Sequence, residues 1–238
     1  MVVRRCERPP LRAPQGVITE SEVLVPARFG GAPETAHGGY TCGLLATAVE
    51  VVGTPVVSLV APAPLELPMR LEAGPDEAVL VFGEEVVATM TTTAETIPAV
   101  PPVSALEADR AVEAFAGRVE HPYPTCFVCG PESVGGLLLA PGPVGPNAVA
   151  CPWVPAENSP EVVWAVLDCP ASWATDEPMA LTRMAAEVLA APRVGEPHVV
   201  VALQVQRVGP VANTLTSIYA SDGTLVAVAT AQWAVLEV

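Results

Sequence analysis

The chain has 238 residues, of which 51% are hydrophobic and only 16% charged, with a mean hydropathy of +0.44. That composition supports a sizeable core and excludes a disordered chain. All 11 basic residues are arginine, set against 26 acids for a net charge of −15 and a pI near 4.4, which excludes broad binding to a phosphate backbone.

The acidity is evenly spread: 8 Arg oppose 15 acids up to residue 119, and 3 oppose 11 beyond it. No apolar run reaches the 18 or so residues of a membrane span, because the best candidate, residues 49 to 67, is broken by Gly53 and by prolines. Two arginines near the start are followed by no apolar stretch, which predicts a soluble, cytoplasmic protein without a signal peptide. Cysteines at 6, 42, 126, 129, 151 and 169 are too sparse for a disulfide scaffold.

In chain order, a Gly/Pro-rich loop from Arg28 to Gly39 leads into Tyr40–Val52, apolar nearly all round and therefore expected as a buried helix that Gly53 and Pro55 terminate. Period-two, β-branched runs follow at Val56–Val60, Leu67–Glu72, Ala78–Phe82 and Val86–Thr93. Ser104–Gly117 reads as a short amphipathic helix with a serine cap and Glu107 three residues on. It lies in a linker assigned to residues 98–125.

The order of elements then starts again. Strands are expected at Leu137–Leu139 and Ala148–Trp153, a second apolar helix at Ser159–Ala174, and strands at Val199–Val208, Thr214–Tyr219 and Leu225–Val235. Met179–Ala190 fits either a helix or an irregular strand. The stretch of eleven residues from Gly83 runs parallel to the eleven from Asp222, both passing through Val-Ala-x-x-Thr. A repeat at this distance indicates a duplicated domain, with units at 1–97 and 126–238.

A buried helix opened by His37-Gly38-Gly39 and followed by antiparallel strands resembles the hotdog fold of acyl-CoA thioesterases. The phrases Phe29-Gly-Gly-Ala-Pro, His37-Gly-Gly-Tyr-Thr-Cys-Gly and Cys126-Phe-Val-Cys-Gly-Pro followed by Gly136-Leu are similar to phrases of that thioesterase-like superfamily. The resemblance covers most of residues 17–238 and implies an α+β chain of two hotdog domains in tandem, each an antiparallel sheet wrapped around a central helix.

The same resemblance implies a site. In such thioesterases the helix N-terminus offers backbone N–H groups to the thioester carbonyl, and a carboxylate about nine residues after the histidine acts as base or nucleophile. Orphan amides at a positive dipole end suit an oxyanion. Nine residues after His37 stands Ala46, whereas Asp168 holds the matching place in the second half, where Ser159-Pro160-Glu161 replaces His-Gly-Gly. One composite site is therefore expected: His37, Gly38 and Gly39 from the first half, Asp168 and Ser172 from the second. Tyr40, Thr41 and Trp164 are expected as substrate walls. The mirrored site, with Ala46, is expected to be inactive.

The implied function is hydrolysis of an acyl-CoA or carrier-bound thioester, with no cofactor beyond the coenzyme A of the substrate and no nucleic-acid or membrane partner, in a monomer or homodimer. Arg28, Arg70, Arg118, Arg183, Arg193 and Arg207 are candidates for coenzyme A phosphates. The alternative is a non-catalytic acyl, lipid or polyketide binder of the same fold. Cys126-x-x-Cys129 with His121 and a distant Cys151 gives an incomplete zinc set, so no metal is assigned. Neither a Gly-x-Ser-x-Gly elbow nor a Gly-x-Gly-x-x-Gly loop occurs.

Overall fold

A computed structural model describes residues 19–175 and 177–235. The first half contains β1 (Thr19–Val23), α1 (Gly38–Ala46), β2 (Thr54–Leu59), β3 (Met69–Gly74), β4 (Glu77–Phe82) and β5 (Glu85–Thr93). After α2 (Ala105–Ala111) come β6 (Gly142–Gly145), β7 (Ala148–Trp153), α3 (Pro160–Trp173), β8 (Met179–Val188), β9 (His198–Val208), β10 (Val211–Ala220) and β11 (Leu225–Val235).

All the strand pairs are antiparallel and join in one sheet of order β1-β3-β4-β5-β2-β8-β11-β10-β9-β7-β6. Apart from the extra edge strand β6, the order is palindromic about the β2–β8 pair. In each half a strand enters, a helix crosses the sheet, and the strand after the helix lands in the middle, so that β2 and β8 pair at a seam through Val56–Ala185, Val57–Met184 and Ser58–Arg183. The two similar phrases of the sequence fall on β5 and β11, which are equivalent in this palindrome. Each half is a hotdog, and the tandem forms one continuous sheet.

The helices begin where their caps dictate. His37 caps α1, its Nδ1 facing the Tyr40 N–H at 3.4 Å. Ser159 caps α3, with Pro160 in the first turn, where a missing N–H costs nothing. The first helix ends six residues earlier than the apolar run suggests. Thr47 donates its hydroxyl to the Gly43 carbonyl at 2.9 Å, the local competition that ends helices at such residues, and Gly53 at φ +100° turns the chain into β2. The third helix stays regular through Pro170 and is buried over most of its length.

Met179–Ala190 resolves as a strand because sheet partners on both sides, β2 and β11, outweigh its helix-forming Met, Ala, Leu and Glu. Leu137–Leu139 is not a strand. Its amides at 137 and 139 donate instead to the carbonyls of Phe127 and Val128, and the short edge strand forms at Gly142–Gly145. Strand β1, Thr-Glu-Ser-Glu-Val, shows little apolar alternation because it is an exposed edge, where charges discourage further pairing. Residues 98–125 lie on the second half: Val100 donates its N–H to Ser217 and accepts from the Tyr219 hydroxyl, while Ala108 packs with Ala150, Val199 and Val201. Val200 and Ala202 face the opposite side of β9, in the core that contains α3, which explains the unbroken apolar run there. No helix among the described residues is long and apolar enough to cross a membrane.

The two central helices lie against each other, and two glycines set the distance. A Cβ on Gly43 would stand 2.7 Å from the Glu161 Cα, and one on Gly39 would stand 2.5 Å from the Asp168 Cβ. Helix propensity alone favours Gly43→Ala by about 1 kcal/mol. Because the obstacle is backbone, we expect the opposite sign, a loss of about 1–3 kcal/mol, read as a thermal midpoint lowered by roughly 2–4 °C per kcal/mol.

Candidate active site between the two helices

Asp168 interrupts the apolar surface of α3 where that helix meets the first turn of α1, and only 5% of the residue is exposed. Its Oδ2 accepts the Gly39 N–H at 2.7 Å and lies 3.4 Å from His37 Nδ1. An acid buried this way is tolerable because a helix-terminal amide and a positive dipole end meet it. Burial pushes its carboxyl up to about 6, against the opposing pull of His37 and the Gly39 amide. Burial also lowers the basicity of His37, but Cys126 and Asp168 more than offset this and the net shift is upward. The two partners do not shift in opposite directions as an exposed pair would, since burial governs the carboxylate.

A cavity of about 260 Å³ opens at this junction, lined among others by His37, Gly38, Asp168, Ser172 and Leu181. It adjoins an outer hollow of about 720 Å³ that shares His121, Pro122, Ser172, Trp173 and Pro178 with it. Five residues assigned to the site from sequence are thus placed together: His37, Gly38, Gly39 and Asp168 at the helix junction, and Ser172 on the cavity wall one turn along α3.

The three assigned substrate walls lie elsewhere. Tyr40 stacks on Phe29 with ring centroids 3.9 Å apart, and Thr41 is buried with its hydroxyl donating to the His37 carbonyl at 3.1 Å. Trp164 faces Gly43 and borders the mirrored hollow of about 510 Å³, together with Ala46, Thr47 and Glu187. The reason is angular: residues 40 and 41 start the far faces of α1, and Trp164 lies one turn before Asp168, toward the other end of the helix pair. In the mirrored hollow the place opposite Asp168 is taken by Ala46, and Glu187 there accepts the Thr54 hydroxyl at 2.7 Å.

Among the described residues no arginine lines the cavity or its outer hollow. Arg28, Arg70, Arg193 and Arg207 pair with Glu157, Glu72, Glu196 and Glu177. Of these acids, Glu177 borders the outer hollow.

Sequence reasoning missed the sulfur-rich floor. Cys126, Cys129 and Cys169 are buried and free. Cys169 Sγ lies 3.3 Å from Cys129 Sγ, 3.6 Å from Cys126 Sγ and 3.2 Å from His37 Nε2. Ligand atoms of His37, Cys126 and Cys169 come within 4.8 Å of one another, and Cys129 Sγ lies 3.7 Å from Cys126 Sγ and 3.3 Å from Cys169 Sγ. His121 and Cys151, the partners considered from sequence, are not among them. The His121 ring packs between Phe115 and Trp173, and Cys151 is buried on β7, its thiol pushed up to about 12. A visible signal was Cys169 directly after Asp168: consecutive helical residues differ by 100°, so a neighbour of a site acid faces an adjoining wall.

The Cys126–Gly130 turn reaches this floor because it is sewn into the first half. Phe127 donates its N–H to the Gly30 carbonyl at 2.8 Å and sets its ring edge-on to Phe29, centroids 4.9 Å apart. Phe127 is among the largest fully buried side chains. Phe127→Ala should therefore cost about 3–5 kcal/mol, measured by denaturant unfolding.

No protein-family model matches the chain, and no curated protein matches it in sequence. Solved structures do match in fold. A provisional thioesterase from Novosphingobium aromaticivorans superposes with a TM-score of 0.60 at 13% identity, over 92% of this chain and 96% of that one. A hot dog fold protein of unknown function from Alicyclobacillus acidocaldarius gives 0.59 at 15%, over 92% and 94%. The acyl-CoA thioesterase II TesB2 from Mycobacterium marinum gives 0.53 at 15%, over 93% of each chain. At such identities the likeness is one of fold, a double hotdog.

Proposed function

We propose that the chain is a thioesterase-like hydrolase of an acyl-CoA or carrier-bound acyl thioester, working at one composite site between its halves, with coenzyme A present only as part of the substrate. The observation that carries this is a buried carboxylate, Asp168, which accepts the first-turn Gly39 amide of α1 at the edge of a cavity. A thioester carbonyl entering there meets the amides of Gly38 and Gly39, orphan donors of a helix start, which stabilise the oxyanion as it forms. The carbonyl displaces Asp168 from the Gly39 N–H and leaves it free to act as a base.

In this scheme Asp168 takes a proton from water, and the hydroxide adds to the carbonyl carbon. The C–S bond then breaks, and the departing thiolate takes the proton back from Asp168, giving an acid and a thiol. His37 holds the carboxylate through Nδ1, and Ser172 is placed to orient the water. The chain brings both helices itself, so a monomer can form the site, and a homodimer would carry it twice.

One observation favours the second reading, a non-catalytic acyl binder: Asp168 already satisfies the Gly39 amide that the carbonyl requires. Coenzyme A release, followed chromatographically over short, medium and long acyl-CoAs, separates the two. Hydrolysis is expected, and Asp168→Asn should lower kcat by roughly 10²–10⁴ while the circular dichroism spectrum stays unchanged. An Asn variant at full rate would end the mechanism. Calorimetric binding of an acyl-CoA without any release of thiol would establish the binder.

A further inference from the structure

We infer that His37, Cys126, Cys129 and Cys169 form a Cys3His site for one zinc ion, which clamps the two halves beneath the cavity. The inference stands apart from the proposed hydrolysis, since it concerns the floor of the site and not the reacting carboxylate.

The geometry is the first argument. Tetrahedral zinc, with Zn–S about 2.3 Å and Zn–N about 2.0–2.1 Å, sets its sulfurs about 3.8 Å apart and its sulfur and nitrogen about 3.6 Å apart. The three sulfurs here are separated by 3.3, 3.6 and 3.7 Å, and His37 Nε2 lies 3.2 Å from Cys169 Sγ. His37, Cys126 and Cys169 already hold ligand atoms within 4.8 Å of one another, and closing on one ion draws the imidazole in toward Cys129. These donors come from three distant places: the cap of α1, the tight turn at 126–130 and the middle of α3. Two ligands with two residues between them on a tight turn are the usual half of a structural zinc site. Within that turn the Gly130 N–H donates to the Cys126 carbonyl at 2.9 Å, and a side chain at 130 would collide with Cys126 N at 2.4 Å.

The surroundings are the second argument. His37 directs Nε2 at the sulfurs and Nδ1 at Asp168, 3.4 Å away. With zinc on Nε2 the imidazole carries its proton on Nδ1 and gives it to Asp168 in place of accepting the Tyr40 N–H, the carboxylate–imidazole–metal relay that fixes the tautomer of a ligating histidine. Trp173 donates its indole N–H to Cys129 Sγ at 3.4 Å, so one sulfur has an outer partner as ligating thiolates do. All four ligands are buried. Three thiolates and an imidazole form a soft, four-coordinate set, which suits zinc and excludes magnesium or calcium. With four protein ligands no coordination position stays open, so the ion is structural: it holds the 126–130 turn against both helices and fixes the imidazole that positions Asp168.

The test uses the full chain, produced without a polyhistidine tag and purified with its thiols reduced. Elemental analysis should find about one zinc per chain in the wild type and in Cys151→Ser, a buried cysteine outside the group, and none in Cys126→Ser/Cys169→Ser. Should the double variant fail to fold, the wild type reconstituted with cobalt(II) alone still decides. Intense tetrahedral d–d bands together with sulfur-to-cobalt charge-transfer absorption support the site. Their absence overturns it, as does zinc retained by a folded double variant, or alkylation and mass analysis that finds Cys169 in a disulfide with Cys126 or Cys129. None of these readouts depends on turnover, so a failure of the hydrolase reading leaves them intact.

Discussion

The approach of α1 to α3 is the constraint on which the rest depends. Two helices that meet at glycines bring backbone against backbone, and only at that distance does a carboxylate as short as aspartate reach the first-turn amide of the opposite helix. The energetics point the same way. Removing Asp168 from water costs several kcal/mol unless a donor replaces it, and the donor is a group that any helix leaves unmatched at its start. The glycines, the cap and the acid therefore form one unit, to which the sheet contributes mainly by holding both helices on the same face.

Duplication explains the asymmetry of the site. The palindromic sheet gives each helix an equivalent place, so a pair of identical domains would present two identical junctions. In a fused chain the two copies vary separately, and here the glycine turn persists in the first and the acid in the second. The other junction has become ordinary packing, with Glu187 bonded to Thr54 and Trp164 set against Gly43. The net charge of −15 plays no visible part at this junction, where Asp168 is buried.

Much of the fold was legible because its signals are local. The caps at Ser104 and Ser159, the β-branched runs and the apolar helix around Trp164 each show within a dozen residues of sequence. Asp168 stood out as an acid in an apolar helix, a conflict that sequence alone exposes. What could not be read depends on neighbours far along the chain. The strand at Met179–Val188 is decided by partners on both sides, and the edge strand at Thr19–Val23 buries too little to show a pattern. Tyr40, Thr41 and Trp164 were assigned by nearness in sequence, whereas the cavity selects by helix face. The cysteines needed a contact of 132 residues' separation, His37 to Cys169, that no spacing rule anticipates.

The seam between β2 and β8 has a consequence for how the molecule comes into being. Within each half, paired strands are hairpin neighbours or are separated by two other elements, and their loops are shorter than those that the seam closes. The seam and the helix junction link residues about as far apart as Gly39 and Asp168, 129 positions, and must wait for the whole linker to be confined. Each half can collapse around its own helix first, but the site has no existence in either. It appears only with the longest-range docking step, so a chain arrested before that step would hold two formed sheets and neither the helix junction nor its cavity.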